Sequence, residues 1–257
     1  MKNLKKAHVL GMALVLLVAL LGLSFSRPVQ PMKPAYVAST SWVAAIAELA
    51  GIDDVATIAP ANLKHPPEYE ITPEDIVKVS QAELFMQAGY EAMMKTIANA
   101  AEVDKEKVVK VKTTNSLENL ENMVTMLSEK AGTKEKADKR FAEYKKLIEW
   151  GRAQVTEKGL DKLTVWVHKD QIPLATDLGL NVAGTFGSAP LTSEQLALAA
   201  EKKFDIIIDN LHNSIADPAK SVSPDSAVIV WRNFPDHTGD SALYNLVKNN
   251  IETLLAL

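Results

Sequence analysis

"AYVASTSWVAAIAELAGIDDVATIA", residues 35–59, decides the fold. "AYVAST" (35–40) reads as a short apolar strand, "SWVAAIAELAG" (41–51) as a helix with a serine cap and a terminal glycine, and "DVATIA" (54–59) as a second strand. Strand, helix and strand within 25 residues make one βα unit, and such units stack into parallel sheets. The pattern continues outward. "TPEDIVKVSQ" (72–81) is a helix with proline just inside its start, and "AELFMQAG" (82–89) and "KVVKVK" (107–112) are further strands.

From about Ser116 to Glu157 the period becomes helical and proline disappears. "LENLENMVTMLSEKAG" is followed by "TKEKADKRFAEYKKLIEWGRAQVTEKG", in which Phe141, Tyr144, Ile148 and Val155 form one apolar stripe. A helix of that length runs roughly 35 Å at about 1.5 Å per residue. Beyond it α/β alternation returns. "LTVWVH" (163–168), "LNVAGT" (180–185), "FDIIIDNLH" (204–212) and "AVIVWRNF" (227–234) are strands. "LTSEQLALAAEKK" and "SALYNLVKNNIETLLAL" are helices, with Thr192 or Ser193 and Ser241 as N-caps. The expected fold class is therefore α/β: two parallel-sheet α/β lobes joined by a long spine helix. The expected divisions are an N-terminal lobe at 35–130, the spine at 131–159 and a C-terminal lobe at 160–257.

The start of the chain is an address. "MKNLKK" is basic, Val9–Phe25 is apolar throughout, and "SFS" (24–26) offers small residues for cleavage before the Pro-rich spacer 27–34. The apolar run also reaches the shortest membrane span, so 1–26 is read as a signal peptide or an N-terminal membrane anchor, and the body as extracytoplasmic. The formal charge is −4, and without Lys2, Lys5 and Lys6 the body is near about −7. Such a body has no electrostatic reason to bind nucleic acid. With no cysteine in the chain there are no disulfides, thiolate zinc sites or cysteine nucleophiles.

The four histidines outside the leader lie at or just past strand ends. His65 follows "DVATIA", His168 closes "LTVWVH", His212 closes "FDIIIDNLH" and His237 follows "AVIVWRNF". Ligands of open α/β sheets bind outside the carboxyl ends of the strands, and neutral imidazole is a leading ligand for zinc. At least three histidines are expected to converge on one site between the lobes. Pro66 and Pro67 would then hold the loop of His65 in shape, with Glu68 as an oxygen ligand or as a partner to an imidazole N–H.

The motifs "HPPEYEITPEDIVKVSQAELFMQAGYE", "LTVWVHKDQIPLATDLGL", "EKKFDIIIDNLHNS" and "LYNLVKNNIETL" resemble the zinc/manganese solute-binding proteins of ABC importers, a class with a rigid helical spine. The resemblance covers nearly all of the chain after the leader. It implies capture of a divalent metal for delivery to a membrane permease, by a monomer that catalyses nothing. It also implies His65, His168 and His212 as metal ligands. The chain departs from that pattern at Pro67, which stands where the family places its first histidine, and at 109–115, which has no histidine. Glu68, Asp236, His237 or water would complete the sphere. Three nitrogens and one oxygen suit Zn²⁺ better than Mn²⁺.

Two other functions fit parts of the sequence. Trp42, Trp150, Trp166 and Trp231 could wall a site for a metal chelate or a cobalamin-like ligand. An exported zinc hydrolase would need a base such as Glu68 or Asp236, but no HExxH or GxSxG motif is present. A scaffold stabilised by a structural metal is a further option.

Overall fold

The computed structural model describes residues 35–100 and 104–257. The leader and spacer expected at 1–34 lie outside the described residues. Among those described, no helix is long and apolar enough to cross a membrane.

The first lobe carries four strands, β1 (Tyr36–Ala38), β2 (Ala56–Thr57), β3 (Leu84–Gln87) and β4 (Val108–Lys110). All pair in parallel, in the order β2-β1-β3-β4. The second lobe repeats the plan with β5 (Thr164–His168), β6 (Asn181–Phe186), β7 (Ile206–Asn210) and β8 (Ala227–Trp231), ordered β6-β5-β7-β8. In each sheet the chain leaves the first strand to one side and returns to the other. That reversal opens a crevice outside the carboxyl ends of the two middle strands.

Strand alternation assigns the two faces of each sheet. Val165, Val167, Ile206 and Ile208 face one core, while Trp166 and Ile207 face another. The first of these cores runs through both lobes without interruption. It joins α1 (Ser41–Leu49), α4 (Leu117–Ala131), α5 (Lys134–Glu157) and α9 (Ala242–Leu255) through residues such as Ile46, Leu120, Tyr144 and Ile251. The spine is α5, whose 24 residues rise about 36 Å. Its stripe of Phe141, Tyr144, Ile148 and Val155 is buried as the periodicity requires. Gly151 lets the spine approach its neighbours, because a Cβ there would lie 2.7 Å from Leu178 Cδ2 and 2.9 Å from Ile251 Cδ1. Short helices cover the outer faces: α2 (Pro73–Gln81) and α3 (Met93–Ala100) on the first lobe, and α7 (Ser193–Lys202) and α8 (Asp217–Val222) on the second, whereas α6 (Ile172–Asp177) packs Leu174 and Ala175 into the shared inner core.

Two caps differ from expectation. Thr40, not Ser41, caps α1 by accepting from Val43 N, and Ser41 Oγ instead donates to Pro235 O at 2.7 Å in the other lobe. Ser241 makes no side-chain cap because its backbone is left-handed (φ 58°). Glu48 on α1 does the work from the first lobe, accepting from Ser241 N (2.7 Å) and Ala242 N (3.3 Å) at the start of α9. Thr192 caps α7 in a reciprocal box with Gln195.

Candidate metal-capture cleft

A cleft of about 330 Å³ lies outside the carboxyl ends of the strands and takes its walls from both lobes. From the first lobe come Thr40, Trp42, His65, Tyr90 and Thr113, and from the second Asp170, Asn210, His212, Asn233 and Phe234.

His65 is positioned by its own prolines. Pro66–Glu68 is a single 3₁₀ turn, closed by Glu68 N and Tyr69 N donating to the carbonyls of His65 and Pro66 (both 3.1 Å). Ala92 N donates to Pro67 O at 3.0 Å and ties this turn to the loop after β3. Tyr69 Oη donates to Asp75 Oδ2 (3.1 Å), and the same oxygen accepts from Thr72 N (2.9 Å). Burial alone would raise the Asp75 carboxyl, but the Thr72, Tyr69 and Lys78 donors outweigh it and hold its pKa below the ordinary 3.8. A carboxyl depressed on folding stabilises fully above its unfolded pKa and loses that contribution as pH falls through the folded value. Asp75→Asn is therefore expected to be less stable by about 1 kcal/mol at neutral pH. In melting curves taken from pH 7 to pH 2.5, the gap from wild type should close on acidification; a constant gap would refute this account.

Beside that loop, Glu91 is buried at the crevice of the first sheet. Its carboxylate accepts from Ser39 Oγ (2.5 Å), Ala88 N (2.9 Å) and Gly89 N (2.6 Å), joining the ends of β1 and β3. Its neighbour Tyr90 projects into the cleft and shares a hydrogen bond with Thr113 Oγ1 at 3.0 Å.

His212 belongs to the 3₁₀ turn Leu211–Asn213 just past β7, so the strand ends two residues earlier than "FDIIIDNLH" suggests. Its ring stacks on Phe234 with centroids 3.5 Å apart, and Phe234 stacks in turn on Trp42 at 5.7 Å. Nδ1 lies 2.7 Å from Asn233 Oδ1. An amide oxygen only accepts, so the proton sits on Nδ1 and Nε2 keeps a free lone pair. Burial pushes the His212 pKa down, and the nearby Arg232 and His65 add to this against the opposing pull of Asn233 and Asp236. The ring is neutral at neutral pH, which is the form that coordinates metal. The contacts extend across the lobes: Asn115 Nδ2 donates to Asn233 O (2.7 Å), and Trp42 Nε1 donates to Asn115 Oδ1 (2.9 Å).

The remaining expected ligands sit elsewhere. His168 is fully buried and does not line the cleft, although Asp170 two residues later does. Its Nδ1 accepts from Asp170 N at 3.2 Å, which puts the ring proton on Nε2, and Nε2 has no partner. Burial lowers the His168 pKa. Glu68 is exposed on the outer side of its turn, outside the cleft lining. Asp236 and His237 pair with each other at 2.9 Å, Asp236 also binds Arg232, and neither lines the cleft. Among the described residues no three His, Asp or Glu side chains are grouped to hold a metal. The expected convergence of three histidines is replaced by one imidazole from each lobe. Strand ends fix where a backbone arrives; the pleat decides which way the side chain turns.

No protein-family model matches the sequence, and no curated protein matches it. Solved structures do match. A mutant of the laminin-binding adhesin Lmb from Streptococcus agalactiae superposes with a TM-score of 0.65 at 16% identity, over 86% of this chain and 98% of that one. The fold is that of the metal-binding solute-binding proteins. An Mn-bound periplasmic metal-binding protein from Candidatus Liberibacter asiaticus gives a TM-score of 0.63 at 17% identity, over 86% of this chain and 98% of that one. The solute-binding protein FpvC from P. aeruginosa, in complex with Ni²⁺, gives 0.66 at 13% identity, over 87% and 96%. At such identities these likenesses concern architecture: two parallel four-stranded lobes, flanking helices and a cleft between them.

Proposed function

We propose that this protein is an extracytoplasmic solute-binding protein that captures a divalent metal ion between its lobes and delivers it to the permease of an ABC transporter. It works as a monomer, binds its cargo without chemical change and favours zinc over manganese. The observation that carries this proposal is the pairing of His65 from the first lobe with His212 from the second in one cleft. A ligand touching both lobes favours the closed arrangement only through the contacts it gains there. The shared core and the spine limit closure to a small movement rather than a wide hinge. Neighbours of the same fold bound to manganese and nickel lend support. Two imidazole nitrogens favour zinc, since manganese prefers more carboxylate. Glu68 and His168 lie one and two residues along the chain from the lining residues Pro67 and Asp170; neither faces the cleft as it stands, so either would serve as a further donor only once its side chain turns toward the metal.

The test is isothermal titration of the chelator-stripped protein with Zn²⁺ and with Mn²⁺, beside His65→Ala, Glu68→Ala, His168→Ala and His212→Ala. One equivalent of zinc is expected, with weaker manganese binding and clear losses in His65→Ala and His212→Ala while circular dichroism stays native. Absence of stoichiometric binding, or binding indifferent to both histidines, would overturn the proposal.

A further inference from the structure

The cleft is poorly built for a bare ion. Zinc takes four ligands in tetrahedral sites, yet the lining contains two imidazoles and a single carboxylate, Asp170. The volume is also large. At about 30 Å³ per water, 330 Å³ holds about ten waters, and it falls at the lower end of the range for pockets that bind small organic molecules.

The walls suit such a molecule. Phe234 is buried with the rings of Trp42 and His212 stacked on it, so the aromatic surface left to a ligand is that of half-buried Trp42 and of Tyr90, 58% exposed. The polar groups are fixed in complementary senses. Buried Gln171 donates through Nε2 to Asn210 Oδ1 at 3.0 Å, which leaves the Asn210 amide N–H groups to donate into the cleft. Asn213 Nδ2 is taken by Ser188 O at 2.7 Å, leaving its oxygen as an acceptor. Lys64 adds an ammonium beside His65. The Asn210 donors and the Lys64 ammonium match a carboxylate, Asn213 Oδ1 and the Asp170 carboxylate match an N–H donor on the same molecule, and two imidazoles match a metal with open coordination positions.

We infer that the cargo of this cleft is a metal chelate: a divalent metal already held by a small carboxylate-bearing organic chelator. His65 and His212 take the open metal positions, Lys64 and Asn210 the carboxylate, and Trp42 with Tyr90 the flat face of the chelator. This inference rests on metal capture as proposed above.

Equilibrium dialysis of the stripped full-length protein tests it, with zinc alone, the 1:1 zinc–histidine complex, the 1:1 zinc–citrate complex, and each chelator alone, using labelled chelators. The expected result is at least a tenfold tighter uptake of zinc–histidine than of zinc, with one labelled histidine retained per zinc and none without metal. Lys64→Ala should lower retention of both chelates by several-fold, and Trp42→Ala should lower that of histidine more than that of citrate. Lys64 is exposed, so its variant stays informative if Trp42→Ala folds poorly. Zinc bound as tightly alone as in complex, with no chelator retained, would overturn the inference and leave metal capture standing. Failure of zinc and of both complexes to bind would overturn both.

Discussion

His212→Ala is expected to raise the Kd for zinc by about 100-fold or more, roughly 2.7 kcal/mol of binding free energy. The substitution removes the second lobe's imidazole, whose Nε2 lone pair is left free by the Nδ1 contact to Asn233. It also removes the ring stacked on Phe234, so the second-lobe wall of the cleft loses both its donor and its shape. The ring is half-buried and belongs to no core cluster, so melting should change little. Asn233→Ala is the graded control. Removing the group that orients a ligand typically weakens metal binding by 10- to 100-fold, so about a tenfold rise is expected there. Because the His212 pKa is pushed below the ordinary 6.5, the proton competes with zinc only on the acid side of that value. Affinity should hold from pH 7.5 to 6.5 and fall below it. A competition titration against a chromophoric chelator reads all three; equal affinities for wild type and His212→Ala would remove the cleft from consideration.

The second large effect is on stability. Asp209→Ala is expected to cost roughly 2–4 kcal/mol, because several buried donors lose their acceptor together. Asp209 is 1% exposed at the end of β7. One carboxylate oxygen accepts from Ser214 Oγ (2.7 Å), Ile215 N (3.0 Å) and Ala216 N (2.9 Å), and the other from Asn210 N (2.8 Å). These bonds fold the chain back around the turn that carries His212. Differential scanning calorimetry should show a fall in Tm of about 5–15 °C for a protein of this size. Asp209→Asn should recover little, since its NH₂ would face N–H donors. A change of 1–2 °C in the alanine variant would show that the turn holds without this carboxylate. Zinc affinity should fall as well, because His212 loses the brace behind it.

The strands were legible because both faces of each parallel sheet are covered. Such strands appear as short apolar runs between turn residues, and of the eight among the described residues seven lie within a run read from the sequence, while β6 overruns its run by one residue, Phe186. The spine was legible for the opposite reason: a single periodic stripe on a long polar helix. What stayed hidden depends on long-range geometry. Nothing local says that Glu48 rather than Ser241 caps α9, because the two are 193 residues apart. The six-residue helices α6 and α8 are too short to show a helical period. For the site, strand-end position pointed to His65 and His212, which line the cleft, and equally to His168, which does not. The pleat held the missing signal: His168 is two residues from Trp166, so it shares that outward face, and both rings pack against Phe186. Asn115, Asn233 and Phe234 were missed altogether. Their importance lies in contacts with Trp42 and His212 across the lobes, which no local pattern encodes.

The Glu48 cap carries a consequence for how the chain is made. Helix α9 docks on α1, which the Glu48–Ser241 contact joins across 193 residues of chain, as well as on the spine. Domains generally fold from the N-terminus as synthesis proceeds, yet the first lobe cannot close its inner core until the 14 residues of α9 have joined it. Until α9 has been made, the native state is therefore topologically out of reach of the growing chain. Chains clipped within the last two turns should be cleared by proteases instead of persisting as one-lobed fragments.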